Sequence, residues 1–191
     1  MAARSTTRHN MLVSAAELLR EHGAAGTTVD AVLARSGAPR GSVYHHFPGG
    51  RNQIIAESLE FAGTAITKII EHSLQDGSIG ALRLFAGFWT QILEGSDFAA
   101  GCPVVAVAVG GTREDQQLLP AVDAIFTRWR SALTQALVDD GVDPSRAAPL
   151  ATMAVASIEG AVILCRASRS TTPLDDVTDE LALLLTANIT G

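Results

Sequence analysis

Residues 27–53, TTVDAVLARSGAPRGSVYHHFPGGRNQ, constrain the fold of this chain more than any other segment. They predict two short helices joined by a tight turn and followed at once by a third helix. Thr27 and Asp30 have the spacing of a capping box, and the next apolar positions recur at helical spacing: Val29, Val32 and Leu33. Gly37 supplies the turn. This order of elements is typical of a helix-turn-helix that reads DNA.

The second of these helices has two chemically different faces. Pro39 suits a first helical position, where its missing N–H costs nothing, and Val43 and Phe47 then point inward one turn apart. The opposite face carries side chains that can bind phosphates or base edges, namely Arg40, Ser42, Tyr44 and His45. Gly41 leaves room for a close approach to a duplex. The pattern therefore predicts a recognition helix over residues 39–47.

The charge distribution supports this assignment. The chain carries a net charge of −6, but residues 1–51 hold six arginines and three acidic residues, a net of +3. The other 140 residues hold eight basic and 17 acidic groups, a net of −9. A local excess this small gives weak phosphate-driven affinity per subunit, so we expect two subunits to bind together.

The remainder of the chain is predicted to be helical, with no segment that must be a strand. We expect helices at about 7–22, 51–74, 79–94, 114–139, 144–167 and 174–188, and a short one at 104–109 despite its β-branched residues. Thr112 with Asp115 is a further helix-start signal. The expected fold class is all-α with about nine helices. Residues 1–50 form a three-helix DNA-binding domain, and residues 51–191 form a helical ligand-binding and dimerisation domain.

The segment TTVDAVLARSGAPRGSVYHHF, closed by Tyr44 to Phe47, resembles the TetR family of one-component transcriptional regulators. GCPVV at 101–105 and IEGAVILCRASRSTTPL at 158–174 resemble its LmrA/YxaF-type branch. The resemblance implies a homodimeric repressor that binds a near-palindromic operator and is released by a small-molecule effector. The expected DNA-binding residues are Thr28, Arg40, Gly41, Ser42, Tyr44, His45, His46 and Arg51. For His46, contact with the first helix is the alternative.

Bulky side chains in the C-terminal helices are candidates for an apolar effector pocket, although ordinary core packing explains aromatic residues at helical spacing equally well. The candidate ligand-binding residues are Phe61, Phe85, Phe88, Trp89, Cys102, Phe126, Trp129, Met153 and Glu159. For Cys102, use as a small buried apolar residue is the alternative. Glu159 stands in an apolar stretch, and three roles stay open: a pocket acid for a cationic ligand, a hydrogen-bonding group between subunits, or a solvated side chain.

The last two helices are the predicted subunit contact. One carries a stripe of mostly small residues and the other a stripe of leucines: Ala154, Ser157, Ile158, Ala161, Val162 and Cys165, then Leu181, Leu184 and Leu185. Two such helices per chain can form a four-helix bundle across a two-fold axis. The alternative is that one stripe faces the core of its own subunit.

Other functional classes lack the residues that they need. No nucleophile–base pair, metal-ligand spacing or phosphate-cradling glycine loop indicates an enzyme, a metal site or a cofactor. Two cysteines without a framework, no apolar run near the length of a membrane span and no signal segment indicate the cytoplasm. Two alternatives remain: a small-molecule binding protein without a functional operator, and a thiol-based redox sensor, for which no basic neighbour of Cys102 is evident in the sequence.

Overall fold

The computed structural model describes residues 2–110 and 115–189, and this part of the chain contains helices and no strands. The nine α-helices are α1 (Ala2–Gly26), α2 (Val29–Ser36), α3 (Val43–His46), α4 (Gly50–Ser73), α5 (Gly77–Gly95), α6 (Pro103–Val109), α7 (Leu119–Asp139), α8 (Pro144–Ser168) and α9 (Thr172–Thr186). Short 3-10 helices cover Arg40–Ser42, Leu74–Asp76 and Asp115–Leu118. The predicted all-α fold class is confirmed.

Several helix boundaries have clear local causes. Gly23 lies inside α1 with a φ of 69°, so regular helix geometry is interrupted where the sequence predicted the end of the first helix. The predicted short helix at 104–109 is present as α6, with Pro103 in its first turn. The predicted helix at 114–139 begins instead with the 3-10 turn Asp115–Leu118. The predicted cap at Thr112 lies outside the described residues.

The chain divides into two compact units whose limits differ from the predicted boundary at residue 50. The first unit comprises Met1–Thr64 and Cys102–Ile125, and the second comprises Ala65–Gly101 and Phe126–Gly191. Helices α4 and α7 therefore contribute residues to both units. In the first unit, apolar side chains of α1, α2, α3 and α4 form one core: Met11, Leu12, Ala15, Leu18, Val32, Leu33, Val43, Phe47 and Ile54. This core holds the predicted recognition helix in place.

In the second unit α5, α8 and α9 pack against one another. Its largest fully buried side chains are Trp89, Trp129, Ile66, Leu93 and Leu137. Helix α8 is long and apolar enough to cross a membrane by length and composition, so the expectation that no run approaches that length is wrong. The cause is its high content of alanine and aliphatic residues, seven of which are buried within the chain together with Glu159 and Cys165. Such a helix is also typical of the centre of a helical bundle.

Candidate DNA-reading surface and ligand cavity

The helix-turn-helix is built by α2, a tight turn, and the 3-10 turn Arg40–Ser42 that leads into α3. The cap of α2 is Thr28 and not the predicted Thr27: the Ala31 N–H donates to Thr28 Oγ1 at 3.1 Å. The Thr27 hydroxyl is buried and donates to the Gly23 carbonyl at 2.9 Å. Gly37 ends α2 in the left-handed region with a φ of 66°. Pro39 has an extended backbone and lies just before the 3-10 turn, whereas the prediction placed it at the first helical position.

The recognition segment buries one face and exposes the other. Val43 and Phe47 have no exposed surface, as their spacing predicted. The Arg40 side chain is 89% exposed, with its Nη2 3.9 Å from Asp30 Oδ1, and Tyr44 is 67% exposed. His45 and Gly41 are exposed, and a Cβ added at Gly41 would meet nothing within 4 Å. Four of the predicted DNA-binding residues therefore share one accessible surface.

Three other predicted DNA-binding residues already form hydrogen bonds or a ring contact within the fold. The Ser42 hydroxyl donates to the Pro39 carbonyl at 2.6 Å. Thr28 accepts the helix-capping hydrogen bond but remains exposed. His46 is half-buried, and its ring meets that of His45 edge-on at a centroid distance of 5.2 Å. Contacts of these three residues with DNA stay predictions.

Arg51 does not extend from the surface as predicted. Its guanidinium donates to the carbonyls of Ala24 at 2.6 Å and Thr27 at 3.1 Å, and to Asp115 Oδ1 at 3.0 Å. The Asp115 side chain is 1% exposed. Arg51 thus fastens the start of α4 to the chain between α1 and α2, which leaves it poorly placed to bind phosphate. Sequence reasoning missed this role because Asp115 lies 64 residues away.

The other arginines of this unit are mostly paired as well. Arg8 forms an ion pair with Glu57 and lies over the Phe47 ring, 4.9 Å from its centroid. Arg35 binds both carboxylate oxygens of Glu21, at 3.0 and 2.6 Å. This hydrogen bonding lowers the pKa of Glu21 and raises the pKa of Arg35. Internal pairing therefore reduces the positive charge that the N-terminal region offers to a polyanion, and it leaves Arg40 as the most accessible of the ion-paired arginines.

A cavity of about 50 Å³, open to the surface, lies in the second unit. Every lining residue is apolar: Ile70, Leu74, Ala81, Leu82, Phe85, Trp129, Leu133, Ala154, Val155, Ile158 and Leu185. The Trp129 indole N–H donates to Thr67 Oγ1 at 3.0 Å. A lining without polar side chains suits an uncharged ligand, because a charged one would lose its hydration without compensation.

Two of the nine predicted ligand-binding residues, Phe85 and Trp129, line this cavity. Phe88 and Trp89 pack against Phe85, and Phe126 packs edge-on against Trp129. Four further candidates do not line it: Phe61 lies in the first unit beside His9, Cys102 is buried in the first unit, Met153 is 40% exposed, and Glu159 is buried. The aliphatic lining residues could not be predicted from the sequence, because ordinary core residues have the same helical spacing.

Cys102 has a basic neighbour that the sequence did not reveal. The pKa of the Arg20 guanidinium lies below its ordinary value, chiefly because of burial, while the charges of Cys102 and Glu17 act in the opposite direction. The Arg20 side chain is therefore within electrostatic reach of the Cys102 thiol, which is 5% exposed.

The predicted dimer stripes are largely interior. Seven of the nine residues are buried by their own chain: Ala154, Ile158, Ala161, Val162, Cys165, Leu181 and Leu185. Three of these seven, Ala154, Ile158 and Leu185, line the cavity. Only Ser157 and Leu184 are partly exposed. These seven side chains face the interior of their own subunit, because α8 is apolar on more than one side, and a subunit contact through them stays a prediction. Its exposed side carries Met153, Ala156, Ile163, Leu164 and Ala167, and Leu183 is exposed on α9.

Comparison with known proteins gives matches along most of the chain. Residues 11–57 match the bacterial regulatory proteins of the tetR family, and residues 78–180 match the LmrA/YxaF-like C-terminal domain of transcriptional regulators. An uncharacterised HTH-type transcriptional regulator of Mycobacterium tuberculosis is 41% identical over 187 residues, 95% of this chain and 95% of the relative. The HTH-type transcriptional repressor DhaR of a Mycobacterium species is 24% identical over 197 residues, 99% and 98% of the two chains.

Solved structures share the fold. A TetR transcriptional regulator from Chloroflexus aurantiacus is similar with a TM-score of 0.82 and 23% identity, over 99% of this chain and 98% of that one. The TetR family regulator CifR, a cysteine mutant complexed with 26-base-pair operator DNA, is similar with a TM-score of 0.74 and 18% identity, over 90% and 93%. At these identities the likeness establishes the fold alone.

Proposed function

The chain belongs to the TetR family of bacterial transcriptional regulators, with an LmrA/YxaF-like C-terminal domain, and we propose that it is a homodimeric repressor released from its operator by a small apolar effector. It acts on double-stranded DNA in the cytoplasm. Residues 1–50 are the DNA-binding part, and residues 51–191 bind the effector and form the dimer.

The observation that carries the proposal is the two-faced recognition segment. Val43 and Phe47 anchor it in the core, while Arg40 and Tyr44 extend outward beside the bare backbone of Gly41. A guanidinium at the start of such a helix can bind guanine O6 and N7 in bidentate fashion, and Tyr44 and His45 can bind phosphates. The complex of CifR, a protein of similar fold, with operator DNA supports double-stranded DNA as the partner.

Dimerisation follows from the exposed side of α8. Met153, Ile163 and Leu164 are 40%, 49% and 57% exposed, a costly display of large apolar side chains on one helix. Gly160 lies on α8 between them, and a Cβ there would meet nothing within 4 Å, so a second helix can approach closely. We assign this side of α8, with Leu183 of α9, to contact with a second copy of the chain. Two recognition helices would then enter successive major grooves, about 34–36 Å apart.

Effector release uses α4, whose first residues follow the recognition segment and whose Ile70 lines the cavity, as does Leu74 in the 3-10 turn that follows the helix. A ligand that binds one placement of this helix better than another shifts the population between them by its difference in affinity. A difference of a few kcal/mol changes operator occupancy severalfold or more.

A thiol-based redox sensor is the second candidate, favoured by the proximity of Arg20 to Cys102. A guanidinium stabilises a thiolate and so increases its reactivity toward oxidants. We expect Cys102→Ser to lose any oxidant-dependent release from DNA if this candidate holds. An unchanged oxidant response in Cys102→Ser removes it. The third candidate, a ligand-binding protein without an operator, predicts ligand affinity but no salt-sensitive DNA retention.

The test is fluorescence anisotropy of the wild-type protein on a fragment of its own upstream region over a series of salt concentrations. We expect specific retention that weakens with salt, and a loss of about 1–3 kcal/mol in Arg40→Ala. Arg83→Ala is the matched control, because Arg83 is an exposed arginine on α5 in the other unit. Equal binding by wild type, Arg40→Ala and Arg83→Ala would refute the assignment.

A further inference from the structure

The indole N–H of Trp89 is buried without an acceptor. Trp89 has no exposed surface, and its Nε1 has no hydrogen-bond partner within residues 2–110 and 115–189. Buried tryptophans normally place this donor against an oxygen, because an unmade hydrogen bond leaves its desolvation uncompensated. This unpaired donor lies in the second unit.

Trp89 lies one helical turn beyond the cavity. Three side chains of α5 line the cavity, Ala81, Leu82 and Phe85, and Trp89 follows Phe85 at the i+4 position on the same side of the helix. The Phe85 and Trp89 rings meet edge-on with centroids 6.0 Å apart. Phe85 therefore both lines the cavity and contacts Trp89.

Trp129 gives the contrast within the same unit. It lines the cavity and is 1% exposed, but its indole N–H is already bonded to Thr67 Oγ1 at 3.0 Å. One tryptophan beside the cavity is therefore satisfied by the protein, and the other has an unused donor.

We propose that the effector is an uncharged, mainly apolar molecule carrying a hydrogen-bond acceptor such as a ketone oxygen, and that the Trp89 indole N–H donates to this acceptor. The inference rests on the proposed function of the cavity and adds the polar group that the effector carries. The apolar lining excludes charged ligands, and Trp89 selects an acceptor over a plain hydrocarbon. Binding requires the Phe85 ring to turn aside, which extends the cavity toward Trp89.

The test compares benzophenone with diphenylmethane, two probes of the same two-ring shape that differ in a ketone oxygen. Their dissociation constants are measured by calorimetry for the wild type, Trp89→Phe and Trp129→Phe. Trp89→Phe keeps an aromatic ring and removes the donor. We expect it to weaken benzophenone binding about fivefold and to change diphenylmethane binding less than about twofold. Trp129→Phe is the matched control and should leave the ratio of the two constants unchanged.

A second readout does not depend on the stability of the variants. The sequence contains two tryptophans, so a ¹⁵N-labelled wild-type sample gives two indole N–H cross-peaks, assigned with either variant. Benzophenone should shift the Trp89 peak downfield, and diphenylmethane should not. Equal shifts with both probes, a shift confined to Trp129, or no binding of either probe would overturn the inference. None of these outcomes alters operator retention, whose absence would instead count against the proposed function.

Discussion

Replacing Arg51 distinguishes a structural role of this residue from a DNA-binding role. Replacing it by methionine keeps an apolar stem and removes the donors to Ala24, Thr27 and Asp115. Because the Asp115 side chain is only 1% exposed, its carboxylate would lose the ion pair with Arg51 without gaining hydration in return. Removing one partner of a buried ion pair costs about 3–5 kcal/mol. That is a large part of the roughly 5–15 kcal/mol that stabilises a typical domain.

The assay is urea unfolding followed by circular dichroism at one fixed protein concentration, because the stability of a dimer depends on concentration. The double variant Arg51→Met/Asp115→Asn should lose less stability than the two single variants added together, since both charges are then gone. The salt dependence of operator binding by the folded fraction should be unchanged. A variant Arg51→Met that keeps wild-type stability, but shows a shallower salt dependence, would refute this reasoning and restore the phosphate contact.

Three further outcomes follow from the same structure. Arg40→Ala should reduce the preference of the protein for its operator over a fragment with altered half-sites, as measured by anisotropy, because a guanidinium bound to guanine reads the base; an unchanged preference would contradict the base contact. Leu164→Glu should convert the dimer to a monomer in sedimentation and weaken operator binding. The control is Leu84→Glu on α5, where the leucine is 51% exposed, and it should have neither effect. A dimeric Leu164→Glu variant would disprove the α8 contact. Arg35 holds the pKa of Glu21 below its ordinary value, so the pair stabilises the fold above about pH 4.3 and is lost as pH falls further. The free energy of unfolding should therefore fall less on acidification in Glu21→Gln than in the wild type, by less than about 1 kcal/mol. Acid unfolding curves of the two proteins that coincide would show that the pair contributes nothing.

The sequence was sufficient for the helix-turn-helix because its determinants are local. Val43 and Phe47 are one turn apart, Gly37 ends α2 by its own backbone freedom, and the expected inward and outward faces follow from helical spacing alone. Here the inward or outward direction of each side chain follows from spacing within one short segment.

The remainder depended on contacts that helical spacing does not encode. Arg51 is exposed on a helical projection, but Asp115 reaches it from a distant part of the chain. Helix α8 is apolar on opposite sides, so its pattern does not distinguish the buried Ile158 from the exposed Leu164. Helical spacing likewise does not separate Phe85 and Trp129, which line the cavity, from Phe88, because an aromatic ring can fill the core behind a lining as well as form it.

The central claim is that two copies of the recognition segment read one operator together. Hydroxyl-radical footprinting of the wild-type protein on its upstream fragment tests it most directly. The account predicts two protected half-sites centred about 34–36 Å apart on one side of the duplex, both lost together in Arg40→Ala. A single protected stretch, or two that persist in Arg40→Ala, would contradict it.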